Sequence, residues 1–309
     1  MGLLARKEVG AALSPISPLQ ELGAYEALWL EPKASFKSIA EKFRKDEGAL
    51  PSDFVPPLVG EKAYREAVEK LKARGVQAFG VRIHGAGDYP VSLRDAAEPV
   101  ELLYYRGNWE LAYSPCVSVV GTRSVSAEGL SRTRSVTKLL VENGFTVVSG
   151  LAAGVDTVAH ETAMDLGGRT IAVIGTHIGA VYPSQNSELQ RKIAASQLLI
   201  SQVPILRSER DGANNPVANR WFFPERNKTM SALSRATIIV EAGETSGTWV
   251  QAKAALYQRR KLLLLDNLFH RPELTWPSKL LPLGAIRVRE PSDILDHIGG
   301  GSATKDPAS

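Results

Sequence analysis

The chain holds one cysteine, Cys116, among 309 residues. A lone thiol closes no internal disulfide and supplies no multi-cysteine metal site, which fits a reducing compartment. No segment approaches the roughly 18 consecutive apolar residues of a membrane-spanning helix. The opening MGLLARKEVGAALSP has no sustained apolar core of the signal-peptide kind, so a cytoplasmic protein without a membrane partner is expected. The histidines, His84, His160, His177, His270 and His297, lack closely spaced metal-ligand partners, and no His-Glu-x-x-His occurs. Neither Gly-x-Gly-x-x-Gly nor Gly-Lys-Ser/Thr is present, so dinucleotide binding and ATP hydrolysis lose their signatures, and no cofactor or metal is expected. Ser246, within Gly-Glu-Thr-Ser-Gly-Thr, lacks the spacing of a nucleophile elbow, and its hydroxyl and N–H suit an anion better than a carbonyl.

The stretch 117–156 organises what is present. Val117, Val119 and Val120 make a short apolar run without alternation, as in a parallel strand covered on both faces. Gly121-Thr122-Arg123 forms a turn, Ser126 caps a following helix, and Glu128 suits that helix's dipole. Thr146 to Val148 repeats the strand, and Gly150 to Gly154 repeats the glycine turn. Amide-rich turns at strand carboxyl ends are natural phosphate sites; tight strand-to-helix packing is the bland alternative for each glycine. Further strands are expected at 76–83, 100–105, 170–174, 198–201, 237–241, 261–265 and 285–288. Helices fall near 157–166, 187–195, 225–234, 248–257 and after Pro291. This alternation predicts an α/β, doubly wound, mostly parallel sheet over 76–298.

Ahead of it, residues 1–75 read as a small all-helical domain. Leu22, Tyr25, Leu28 and Trp29 share one helix face, as do Phe36, Ile39, Ala40 and Phe43, and Ala63, Ala67, Val68 and Leu71 share a third. DNA binding and adaptor roles both suit such a domain. Residues 299–309, GGGSATKDPAS, carry almost no apolar content and are expected to be disordered.

The formal net charge of +4 permits an acidic partner without requiring one, so the placement of charge decides more. Residues 205–235 read as a long loop with Arg207, Arg210, Arg220, Arg226, Lys228 and Arg235 around Trp221, Phe222 and Phe223. Cations neutralise phosphates and rings stack on unpaired bases, the combination single-stranded nucleic acid demands. The competing reading makes the rings core anchors and the charges a solvated face; a second basic segment, 123–138, favours binding. Asp156 and His160, four apart, could pair on a helix for catalysis, although a cap with a half-buried histidine is the commoner arrangement.

These motifs resemble the DprA/Smf family of DNA-processing proteins over about 87–298. VSVVGTRSVS, VVSGLAAGVDTVAHETAMDLGGRTIAVIG, YPSQNSEL, FFPERNKTMSALS and IIVEAGETSGTWVQAKAAL follow one another as in that family. The resemblance implies an extended Rossmann-like fold that binds and protects single-stranded DNA without catalysis. It also implies a homodimer that helps load a RecA-type recombinase in natural transformation. The implied DNA contacts are Gly121, Thr122 and Arg123, then Phe223, Arg226 and Asn227, then Ser246 and Gly247. The turns and the basic-aromatic stretch add Gly150, Gly154, Arg220, Phe222, Lys228 and Thr248. A Rossmann-like nucleotide sensor or phosphoribohydrolase is the alternative, because GETSGTWVQ resembles the turn of those hydrolases; Gln251 stands near where a catalytic carboxylate is expected, and an amide is no general base. A scaffold recruiting a recombinase through the helical part is the third reading.

Overall fold

The computed structural model describes residues 4–5, 15–87, 89–94, 96, 99–212, 218–244 and 247–299. Ser246 and all of the 299–309 tail except Gly299 lie outside them. The helices expected near the N-terminus form as α1 (Pro18–Leu30), α2 (Phe36–Lys45) and α3 (Pro57–Ala73). Ser35 starts α2 by accepting from the Ser38 N–H while the Ser38 hydroxyl accepts in return, a reciprocal cap that leaves neither donor orphaned.

Strands β1 (Gly80–Ile83) and β2 (Leu102–Gly107) are antiparallel, and strand–helix alternation then takes over. In chain order come β3 (Cys116–Val120), α4 (Ala127–Glu142), β4 (Thr146–Ser149), α5 (Val155–Asp165), β5 (Arg169–Ile174), α6 (Ser187–Ser196) and β6 (Leu198–Ser201). After them follow α7 (Ile205–Gly212), α8 (Phe222–Leu233), β7 (Ala236–Ile239), α9 (Gly247–Tyr257), β8 (Lys261–Leu265), β9 (Ala285–Val288) and α10 (Asp293–Ile298). The stretch 205–235, expected as a loop, is largely helical: α7 was not anticipated, and α8 begins at Phe222, ahead of the helix expected near 225–234.

Strands β1 to β9 lie in one sheet, ordered β9-β8-β7-β3-β4-β5-β6-β2-β1, while a separate antiparallel pair, Leu4–Ala5 with Pro15–Ile16, makes the stretch expected as all-helical not wholly so. The chain moves outward from β3 through β4 and β5, then returns to lay β7 on the other flank of β3, parallel to it. That reversal creates a switch point between β3 and β7, the place where doubly wound sheets open a crevice at their carboxyl edge.

By internal contacts the chain divides into two compact units. The first takes 1–106, 174–180 and 200–225, the second 107–173, 181–199 and 226–309. In the first, Trp29 and Phe222 are wholly buried, and Phe36 packs edge-on to both. Glu26 of α1 is also wholly buried, and its carboxylate accepts from the Tyr104 hydroxyl and from the amides of Ile205 (2.8 Å) and Leu206 (2.9 Å), capping α7. In the second unit, Val117, Val119, Val147 and Ile238 of the strands meet Val136 and Leu140 of α4 and Ala159 and Ala163 of α5 in one dry cluster. Strands covered on both faces explain the absence of polar alternation in their sequence. Among the described residues no helix is long and apolar enough to cross a membrane.

Candidate nucleic-acid interface

Three strand-end turns of the second unit are stitched together by backbone. The Thr122 amide donates to the Glu241 carbonyl (2.8 Å), and the Val155 amide donates to the Thr122 carbonyl (3.2 Å). The turns after β3, β4 and β7 therefore converge at the switch point. Gly154 is required there twice over: its φ is +80°, and a Cβ would lie 2.4 Å from the Thr122 carbonyl oxygen.

The electrostatics of these turns differ from a simple phosphate cradle. At the start of α4 the Ser126 hydroxyl accepts from Gly129 N–H (3.0 Å). The same hydroxyl donates to Glu241 Oε2 (2.8 Å), and the Ser126 amide reaches Glu241 Oε1 (3.2 Å). After β4 the amides of Gly150 (3.2 Å) and Ala152 (3.3 Å) both donate to Asp156 Oδ2. Two helix-terminal positions expected to receive an external anion thus already hold the protein's own carboxylates. The Gly150 amide is committed to Asp156 rather than open to a ligand. What the edge offers instead is side chains. Arg123 is exposed, with its guanidinium 6.0 Å from the ring centroid of Tyr182, which is itself 48% exposed.

Arg226 occupies a different position from the one its motif suggested. It is buried, and its Nη1 donates to the carbonyls of Gly150 (2.5 Å) and Val173 (2.6 Å) while Nε donates to Asn227 Oδ1 (2.9 Å). The chain passes this close only because residue 150 has no side chain: a Cβ there would meet Nη1 at 2.3 Å. Burial lowers the Arg226 pKa to about 10, opposed by Asp156 and reinforced by Arg123, so the two arginines share one neighbourhood. Burial likewise raises the Asp156 carboxyl above its usual range, with Arg226 pulling it back. Arg226 is therefore a strut holding the β4 turn.

Asp156 and His160 do not form the catalytic pair considered above. His160 is wholly buried, and its Nδ1 meets the Thr170 hydroxyl (2.7 Å), which donates to the Val147 carbonyl (2.9 Å). Burial, with Arg226 nearby, depresses the His160 pKa to about 3. The unfolded chain binds this proton from about pH 6.5 downward and the folded one does not, so the stability His160 contributes is whole above pH 6.5 and is lost as pH falls toward 3. Between pH 7 and 4.5 this amounts to about 2–3 kcal/mol. Urea titrations at the two pH values should show a more favourable acid-side change in His160→Gln than in the wild type; equal changes would refute the assignment.

The other expected contacts divide between the two units. Arg220 is exposed in the first unit. Phe222 cannot stack on a base: it is wholly buried, with Trp221 stacked on it at 3.9 Å and Trp29 and Phe36 about it, so the core-anchor reading holds for this ring. Phe223, half-buried, packs its ring where a side chain at Gly175 would stand. In the second unit Gly121 and Thr122 are partly exposed beside Arg123, Asn227 and Lys228 are half-buried, Gly247 is exposed and Thr248 is buried. Tyr182 escaped the sequence reading; its signal was an aromatic residue just before a proline in the turn after β5.

A doubly wound sheet with its strand-end turns gathered at one carboxyl edge is an α/β architecture that places ligand sites at that edge. The sequence profile of the DNA recombination-mediator protein A family matches residues 80–299, and the chain belongs to that family. It is 37% identical over 216 residues to Protein Smf of Synechocystis, covering 69% of this chain; it spans about half (52%) of that relative's length. The crystal structure of DNA processing protein A from Streptococcus pneumoniae superposes with a TM-score of 0.64 at 27% identity, over 91% of this chain and 93% of that one. A structure of the Helicobacter pylori protein, described for its single-stranded DNA binding mode, gives 0.58 at 25% identity, over 71% and 94%.

Proposed function

We propose that this protein binds single-stranded DNA without catalysing a reaction on it, shields the strand, and passes it to a RecA-type recombinase. Family membership supports a role in DNA processing and recombination. The observation that carries the binding site is Arg123, an exposed guanidinium at the switch-point edge with a ring beside it. Cytoplasmic location, homodimer formation and service in transformation belong to the same proposal, on the strength of the family. So do the helical domain at 1–75 and the sheet domain at 76–298. The remaining contacts proposed for DNA are Gly121, Thr122, Gly154, Asn227, Lys228, Ser246, Gly247 and Thr248, with Arg220 and Phe223 in the first unit. Thr248, buried, takes part through its backbone.

The nucleotide sensor or phosphoribohydrolase is disfavoured by two observations. Gln251 is buried, its Nε2 directed to Thr237 Oγ1 at 3.5 Å, so it presents no acid or base to a ligand. A phosphate at the start of α4 would confront the Glu241 carboxylate. Steady release of free base from nucleoside monophosphates would restore that reading.

Arg123→Ala should weaken oligothymidylate binding at low salt and reduce the slope of log K against log salt by about 0.7, one phosphate contact on a single strand. Fluorescence anisotropy across a salt series measures both. An unchanged slope would remove Arg123 from the interface.

A further inference from the structure

We infer that Tyr182 is the base-stacking platform of this site, and that Tyr182 and Arg123 together receive one nucleotide. The inference rests on the single-strand reading above. Sequence-tolerant grip on unpaired nucleic acid needs flat rings beside cations, because every base has a face to stack and every link a phosphate to neutralise. Of the rings that the sequence offered for this, Trp221 and Phe222 are stacked on one another, Phe222 is wholly buried, and Phe223 is half-buried in the first unit. In the unit that holds Arg123, three tyrosines are largely exposed: Tyr113 (48%), Tyr182 (48%) and Tyr257 (66%). Tyr113 precedes β3 and Tyr257 precedes β8, which puts both at the amino ends of parallel strands. Tyr182, in the turn after β5, is at the carboxyl end, where Arg123 stands.

The platform is also fixed in place. Asn186, nearly buried in the same turn, donates its amide to the Leu151 carbonyl (3.0 Å) and to Thr157 Oγ1 (2.9 Å). The segment carrying Tyr182 is thereby tied to the β4 turn and the start of α5, the elements that also abut Arg123. A ring and a cation held at a set spacing lose little freedom on binding, which favours affinity. The 6.0 Å between guanidinium and ring centroid is at the outer limit of a cation–π contact. Arg123 is exposed and Tyr182 is 48% exposed, so solvent-borne phosphate and base can approach both.

Stacking and charge separate cleanly in a salt titration. Tyr182→Leu, which keeps apolar bulk but has no ring, should lower oligothymidylate affinity roughly tenfold, within the range for one lost stack, with the salt slope unchanged. Tyr182→Trp should bind at least as tightly as the wild type. A single abasic position swept along the oligonucleotide should weaken the wild type at one or more sites and leave Tyr182→Leu indifferent to it. Thermal melts of each variant check the fold. A wild type that ignores single-stranded DNA would overturn the single-strand reading itself. A wild type that binds, alongside a folded Tyr182→Leu that binds equally well, would overturn this inference alone.

Discussion

Arg226→Ala should cost about 3–5 kcal/mol of folding stability, the range for removing one partner of a buried charged pair. The substitution leaves the Gly150 and Val173 carbonyls without their donor and strips Asp156 of the counter-charge that offsets its burial. Arg226→Lys should recover only part of the loss, because an ammonium has no fork to serve both carbonyls and Asn227 at once. Urea unfolding measures the stability. A salt titration of whatever folded protein remains should show a wild-type slope, because a guanidinium sealed in the core neutralises no phosphate. A loss of slope like that of Arg123→Ala, with stability intact, would show Arg226 to be a phosphate ligand after all.

Glu26→Ala should be nearly as damaging, about 3–4 kcal/mol, since it orphans the Tyr104 hydroxyl and the two first amides of α7 at about 1–3 kcal/mol each, less the relief of a buried charge. Burial pushes the Glu26 carboxyl up to about 6, against an ordinary 4.5, so the folded protein holds this proton more tightly than the unfolded chain. The wild type therefore loses about 2 kcal/mol of Glu26-linked stability as pH rises from 4.5 through 6. Glu26→Ala has no such proton, so the gap between variant and wild type should be widest near pH 4.5 and narrower at pH 7. A gap that widens toward neutral pH would mean the carboxylate, not the acid, is the stabilising form. This dependence opposes that of His160, so comparison with the variant, not the wild-type pH profile alone, separates them.

The parallel strands were legible because burial on both faces leaves uninterrupted apolar runs such as Val147–Val148, and glycine marks where each ends. The meeting of the β3 and β4 turns was legible for the same reason, since a doubly wound sheet brings strand ends to one edge. The roles of individual side chains there were not. Phe222 and Phe223 are adjacent in sequence and equally aromatic, yet one is sealed against Trp29 and Phe36, far away along the chain. Periodicity carries no record of such neighbours. Arg226 lies in a basic run, and only its distance to Gly150 and Val173 reveals it as internal. Glu241 ends a strand like many carboxylates, and its pairing with Ser126 depends on β7 lying beside β3. Tyr182 is set apart from Phe222 by its exposure, which the sequence does not record.

The carboxylates of Glu241 and Asp156 have a consequence for competition inside a cell. Seats that would otherwise attract stray phosphates are filled from within, so inorganic phosphate and the abundant pool of loose nucleotides find little to hold at this edge. Under the proposed single-strand reading a polymer would differ, because it presents many links at once to surface groups such as Arg123 and Tyr182. Discrimination between chain and monomer would then arise from what the protein withholds as much as from what it presents.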